Sequence, residues 1–394
     1  MVGADGLCRH RRQPDGRHVR AAAVTDLAGP APLIGISDMS ATTPGLVCGH
    51  HHLYSSLARG MPAPPSRPTD FLGILQQVWW RLDAALDLDM LRASALLGAT
   101  EALQCGTTAI IDHHEGPNAI EGSLQVIADA CHEVGVSVMC AYGVSDRWQD
   151  NATLWPDATT PPSAMTSAAR RGLAECEGFI RSGGKAMVGV HAAFTCSEDT
   201  LEAAAGLARD LGVGVHVHVA EGSIDTPAGA RLEHLATDDW LLVHGVHLDR
   251  RLPGVLAHNP RSNMNNAVGY ARPAQRPNTV VLGTDGIGAD MLEEFRLAYV
   301  AHRADDVTAS PEAAWQWLAN GWQLMPGALT DTVTWNYDHV DSPWHVAFTP
   351  GIRALQVQRA DGEVLLRDGL PTRVDIAEIR AKAAEQATRL FSRL

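Results

Sequence analysis

Residues Pro44 to Tyr54 read PGLVCGHHHLY. A short apolar run, Leu46-Val47-Cys48, leads into three consecutive histidines, His50, His51 and His52. Side chains alternate along a strand, so His50 and His52 share one face and His51 takes the other. Two imidazoles on one face at the end of a buried strand are a starting point for a metal site. Alone, the pair fits a histidine-rich turn equally well, so the decision rests on what surrounds it.

Outward from this stretch the same rhythm repeats. Apolar runs end in histidine, aspartate or glycine at Leu46–Cys48, Thr108–Ile111, Val136–Cys140, Ala186–Val190, Val213–Val219, Leu241–Val243, Val255–Ala257 and Val280–Leu282. Helical spacing of apolar residues fills most of the intervals: Leu86–Gln104, Gly122–Val134, Ala164–Ser182, and Glu198–Leu211 behind the N-cap candidate Ser197. Strands alternating with helices imply parallel βαβ units. Eight of them predict an α/β chain folded as a (β/α)8 TIM barrel, with polar residues at the strand C-termini where barrel chemistry converges. An open doubly wound sheet is the alternative, but no Gly-rich phosphate loop follows the first strand.

Flanking segments differ. Residues 1–43 are rich in Arg, Gly, Pro and Asp and form an N-terminal segment, either part of a small β lobe or a poorly ordered arm. The barrel is expected over residues 44–326. From Asp331 the pattern turns strand-like, with a hairpin signal at Asp361-Gly362 and a terminal helix over Val374–Leu394. Residues 327–394 therefore complete a small, reduced β-sandwich lobe.

A net charge of −14 without long single-sign runs argues against nucleic-acid and membrane-surface binding. Seven cysteines without a CxxC read as reduced thiols, and no apolar run reaches membrane-spanning length. The basic start (Arg9, His10, Arg11, Arg12) has no apolar segment after it, so a cytoplasmic location is expected.

Metal-ligand candidates recur at the strand ends: His50 and His52, then His216 and His218 in HVHVAE, His244 and His247 in HGVH, and Asp285 in GTDG. Histidines with one carboxylate suit Zn²⁺ or Fe²⁺. Such an ion lowers the pKa of a bound water to about 7. Glu221, three residues after His218, is placed to shuttle a proton to a substrate nitrogen, and a second histidine with the aspartate to orient the water. Each residue also has a plain structural role open to it, as core histidine, loop acid or turn cap. Jointly, HxH, HxxE, HxxH and TDG in this order favour hydrolytic chemistry. Trp79 and Trp80, following Gln76 and Gln77, offer a stacking face and an edge-reading amide for a flat ring, with Gln77 and Trp80 the candidates to touch it; helix packing is the alternative for both tryptophans. His113 or His114, at the end of the second strand, is placed to support the ligands from behind. Asn259, Arg261, Ser262 and Asn263 fall at the pocket rim; Arg261 is open to binding a carboxylate or exocyclic oxygen of a substrate, with pairing to a surface acid the preferred reading.

The succession PGLVCGHHHLYSSLARG, HVHVAE, LVHGVHL, HNPRSNMNN and LGTDG resembles the amidohydrolase superfamily, in its chlorohydrolase and guanine-deaminase-like branch. DFLGILQQVWWRLD, IIDHHEGP and SPWHVAFTPGIR resemble the SsnA-type aminohydrolases within it. The resemblance runs from about residue 44 to the C-terminus. It implies His50, His52, His218 and Asp285 as ligands of one divalent ion, Zn²⁺ or else Fe²⁺. It also implies Glu221 as proton shuttle, His244 and Asp285 as the pair that positions water, and His191 as a substrate contact. Because His191 stands where binuclear relatives carry a carboxylated lysine, a single metal is implied. Relatives also carry a longer β-rich N-terminal segment and a GKxAD run, both missing here. The implied activity is hydrolytic deamination of a small aminated N-heterocycle resembling a purine, pterin or triazine. Dehalogenation, N-dealkylation and cyclic amide or guanidine hydrolysis are alternatives at the same site, and a catalytically silent metal-binding barrel is one of another class. A homodimer is expected by the same resemblance.

Overall fold

The computed structural model describes residues 41–157, 159–160 and 162–394; the expectation for residues 1–40 lies outside them. Strand β1 (Thr42–Pro44) precedes eight strands that match the sequence rhythm: β2 (Leu46–His52), β3 (Thr107–Asp112), β4 (Ser137–Met139), β5 (Val188–Ala192), β6 (Val215–Val219), β7 (Leu241–His244), β8 (Val255–His258) and β9 (Val280–Leu282). All neighbours among β2–β4 and among β5–β9 pair in parallel. The two arcs are joined on one side by parallel bridges Cys140↔Ala186 and Val144↔Val190. On the other side Thr284 N donates to His50 O at 3.0 Å, and the short β10 (Asp285–Gly286) pairs with β2 in parallel. Hydrogen bonding therefore runs round the ring, as a (β/α)8 barrel requires. At this seam a side chain on Gly49 would meet Val281 Cγ2 at 2.8 Å and Leu282 O at 2.9 Å, so only glycine lets β2 and β9 approach.

The strands sort their side chains into two layers. Val47, Ala109, Ile111, Leu241, Val243, Ala257 and Val281 fill the interior, closed from below by Met325 and Ala328. Leu46, Cys48, Ile110, Val188, Val190, Val217 and Leu256 face the surrounding helices. Helix starts follow their caps. The expected helix from Leu86 begins at Leu88 because Asp87 Oδ1 accepts from Met90 N at 3.0 Å. Ser197 caps Glu198–Leu211 as read from the sequence.

The lobe joins both ends of the chain: β1, β11 (Thr332–Trp335), β12 (Ala354–Gln358), β13 (Val364–Arg367) and β14 (Leu370–Pro371) form, among the described residues, one antiparallel sheet. The last helix, Ile376–Phe391, is tied to the barrel by Arg393 and Arg389, which reach Asp87 Oδ2 at 2.7 and 3.0 Å. No described helix is long and apolar enough to cross a membrane.

One buried group makes stability depend on pH. Asp112, at the end of β3, is fully buried; Oδ1 accepts from Leu53 N at 2.7 Å, whereas Oδ2 has no described partner. Burial pushes its carboxyl up to about 7. The folded chain thus holds a proton that the unfolded chain gives up near pH 4. Its stabilising share is fully present below that value and is lost as pH rises through about 7. Asp112→Asn is expected to flatten this slope: relative to wild type the variant gains stability between pH 4 and 8, read as the pH dependence of the difference in urea midpoints. A difference that stays constant with pH would count against a proton held at Asp112.

Candidate active site

The strand ends bring the predicted ligands together. His50 Nε2 and His52 Nε2 lie 3.3 and 2.9 Å from Asp285 Oδ1, and His52 Nε2 is 3.2 Å from His218 Nε2. One donor atom from each of the four falls within 4.8 Å of all the others. Two donors about 2.0–2.1 Å from a common ion are separated by about 3.3 Å at a tetrahedral angle, so the spacing fits a divalent metal.

Every ligand histidine is anchored through its other nitrogen. His52 Nδ1 donates to His113 O at 2.5 Å, His218 Nδ1 donates to His191 O at 2.7 Å, and His50 Nδ1 lies 2.8 Å from His216 Nε2. The two carbonyl acceptors fix the protons of His52 and His218 on Nδ1 and leave their Nε2 lone pairs toward the centre. Burial holds His50 and His218 well below the usual imidazole range, which keeps them neutral and ready to ligate. Burial alone would raise Asp285, but hydrogen bonds from His50 and His52 overcome it and hold the carboxyl well below the usual range.

Two structural devices point these side chains inward. Register shifts between Cys48 and His51, where β2 carries an extra residue against β3. Leu46 and Cys48 face the outer layer, and the bulge turns His50 and His52 to the interior. In β7, Leu241 and Val243 face inward, so alternation would send His244 outward. Its left-handed backbone (φ 69°) redirects it. Asp285 (φ 57°) and Ala220 (φ 49°), just before Glu221, share that strained conformation.

His244 Nε2 sits 3.4 Å from Glu221 Oε2 and 3.9 Å from Asp285 Oδ2. Burial raises the Glu221 carboxyl above its ordinary value. Asn266 Nδ2 donates to Glu221 Oε1 at 3.2 Å, leaving Oε2 toward His244.

His52, His218, Glu221 and Asp285 open into a cavity of about 280 Å³. His191, Trp79 and Trp80 line it. Gln77 corrects the sequence reading: it is not a lining residue, and its Oε1 accepts from Ser66 Oγ at 2.7 Å. Gln77 lies mid-way in a π-helical turn over Leu75–Trp79, whose two end residues, Leu75 and Trp79, line the cavity. His113 packs edge-on against His216 and His218 at 4.8 and 4.7 Å, besides lending its carbonyl to His52. His247 does not join the centre; its Nε2 lies 2.9 Å from Val268 O. Arg261 pairs with Glu294 at 2.8 Å, an acid that is buried and not at the surface, and donates to Thr284 O and Gly286 O on either side of Asp285.

Several residues escaped the sequence. Asp225 accepts from Phe194 N and Ala220 N, steadying the segment that carries Glu221; burial pushes it up to about 7. Arg147 is fully buried between the rings of Trp80 and Trp148, 5.3 and 5.0 Å from their centroids. It meets Asp83 at 3.2 Å and contacts Glu115, and both acids line the cavity. Only Glu115 carried a signal, as the carboxylate closing DHHE after the second strand.

The amidohydrolase family model matches residues 41–318. The chain belongs to the amidohydrolase family. A 5-methylthioadenosine/S-adenosylhomocysteine deaminase of Halobacterium salinarum is 30% identical over 397 residues, 89% of this chain and 87% of the relative. A 5'-deoxyadenosine deaminase of Methanothermobacter thermautotrophicus is 29% identical over 370 residues, 83% of this chain and 82% of the relative. Among solved structures, an adenosine deaminase from Xanthomonas campestris with bound zinc shares the fold at a TM-score of 0.72 and 20% identity, covering 90% of this chain and 87% of that one. In this amidohydrolase the His/Asp cluster is accordingly a divalent-metal site.

Proposed function

We propose that this amidohydrolase is a hydrolytic deaminase of adenine nucleosides altered at the 5' position, working with one zinc ion held by His50, His52, His218 and Asp285. The observation that carries the reading is Glu221, its Oε2 3.4 Å from His244 Nε2 beside the ligand cluster on the cavity wall. The names of the deaminase relatives support the substrate class. When bound, the metal lowers the pKa of water to about 7 and so supplies hydroxide at neutral pH.

The chain's own residues do the rest. Trp79, Trp80 and Phe194 provide apolar faces for a flat ring. Glu221, with its proton affinity raised by burial, delivers a proton from its carboxyl to the ring nitrogen beside the amino-bearing carbon. His244 and Asp285 orient the water and receive its proton. The departing amine takes a proton and leaves as ammonia, so one water is consumed and a carbonyl replaces the amino group.

The wall also sets a charge rule. Asp83, Glu115, Glu221, Asp225 and Asp285 face the cavity, and the one arginine or lysine among its described lining residues, Arg261, is engaged by Glu294 and two carbonyls. Glu221 brings a proton to the reaction and burial raises Asp83 and Asp225, so the penalty for an anionic substrate, several kcal/mol, comes from burying its charge where no free described cation pairs with it. Metal content and ammonia release are therefore measured together on adenosine, 5'-deoxyadenosine, 5'-methylthioadenosine, AMP, aminopterins and aminotriazines, with halide and alkylamine assayed in parallel. We expect one zinc per chain, ammonia from the uncharged nucleosides, and kcat/KM for AMP lower by about 100-fold or more. Full metal occupancy with halide or alkylamine as the only product would overturn the deaminase reading; equal turnover of AMP would overturn the charge rule.

A further inference from the structure

The short helix Pro260–Asn265 follows β8, and with Asn266 it touches all three groups assigned to the chemistry. Ser262 Oγ donates to Asp285 Oδ2, Asn266 Nδ2 donates to Glu221 Oε1 at 3.2 Å, and Asn263 Oδ1 lies 2.8 Å from His244 Nδ1. The last contact has a chemical consequence. An amide oxygen only accepts hydrogen bonds, so the proton of a neutral imidazole bonded to it must reside on Nδ1. The lone pair is then on Nε2, the nitrogen that faces Glu221 and Asp285.

We propose that Asn263 is a positioning residue that fixes the tautomer of His244, so that the nitrogen turned toward Glu221 and Asp285 is the one able to take a proton. The inference rests on the role given to His244 above.

Three observations support it. Asn263 and His244 are 2% and 1% exposed, so water does not replace the contact. His244 sits in the left-handed region (φ 69°), which confines how its ring can be presented. Asn263 leaves its Nδ2 without a described partner while its oxygen faces the ring, a cost in a buried amide that the bond to His244 offsets. A competing contact exists: Asn259 Nδ2, a donor, lies 3.4 Å from the same Nδ1 and would favour the opposite tautomer. At that length it is the weaker of the two.

The test is spectroscopic and kinetic. The zinc-loaded full chain is prepared with ring-¹⁵N histidine, and His244→Gln identifies the His244 signals by their loss. Nδ1 is expected at the protonated position and Nε2 at the unprotonated one. In Asn263→Ala both signals should move toward the average of two tautomers. That variant should lose about 10- to 100-fold in kcat, with KM changed by less than about threefold because substrate binding is untouched. Asn263→Asp keeps an acceptor-only group and should recover most of the lost kcat, which a packing role would not explain. A protonated Nε2 in the wild-type chain overturns the proposal, as does Asn263→Ala with unchanged kcat. The tautomer is read without substrate. Absence of ammonia release would thus remove the proposed reaction, while the ¹⁵N shifts of His244 would still decide the role of Asn263.

Discussion

Glu221→Gln is expected to lower kcat by about 10²- to 10⁴-fold, the range that a positioned general acid–base group contributes, while zinc content stays at the wild-type level. The substitution keeps the shape and the hydrogen bond from Asn266 within reach but removes the ionisable oxygen 3.4 Å from His244 Nε2. Glu221 is not one of the four clustered ligand candidates His50, His52, His218 and Asp285. Metal analysis and turnover on 5'-deoxyadenosine, measured on one preparation, separate the two roles. Loss of zinc along with activity would make Glu221 a ligand, and full activity would remove it from proton transfer. The contrasting variant is His218→Ala, which should lose metal and activity together, because its Nε2 lies 3.2 Å from that of His52 at the centre of the cluster.

Arg147→Ala is expected to cost about 3–5 kcal/mol of stability, the usual consequence of removing one member of a buried ion network. Asp83 and Glu115 would be left beside each other without their counter-charge, and Asp83 Oδ1 already has no described partner. The sign of the pH dependence follows from Asp83, whose carboxyl burial and the neighbouring Glu115 push up to about 8. Below that value the acid is protonated and tolerates the loss of Arg147; as pH rises through it, a second buried negative charge appears. The deficit in the urea midpoint should therefore be larger at pH 9 than at pH 6. A deficit of under about 1 kcal/mol that does not change with pH would mean that the acids are solvated and that Arg147 is not their essential partner. Because Asp83 and Glu115 line the cavity, the surviving folded fraction should also show a raised KM.

The positions of the eight barrel strands were legible because a buried parallel strand must be a short apolar run, and most runs here meet a histidine, an acid or a threonine within two residues of their end. The candidate ligands were legible through the motifs that the family resemblance rests on. Histidine and aspartate at successive strand ends have no common structural purpose, whereas a metal needs all of them at once. Local chemistry also carried one helix start, since Ser197 caps within three residues, whereas the cap at Asp87 was not read and that helix starts two residues later than expected.

What lay beyond the sequence depends on how backbones meet. Alternation places His50 and His52 together, but only the extra residue between Cys48 and His51, set by pairing with β3, makes that shared face the inner one. By the same alternation His244 belongs outside, and a left-handed turn brings it in. Gln77 and Trp80 are both candidates in the chain, yet only Trp80 lines the cavity while Gln77 bonds Ser66. Arg147, Asp83 and Glu115 come from separate segments, 64 and 32 residues from the arginine, and carry no common pattern. Residue order alone specified the barrel strands and put candidate metal donors at their ends, because hydrophobic periodicity and side-chain chemistry are written residue by residue. Which face those ligands take, which tautomer His244 holds and what charge the substrate meets were decided by tertiary structure alone, because each depends on register, backbone strain and contacts between distant segments.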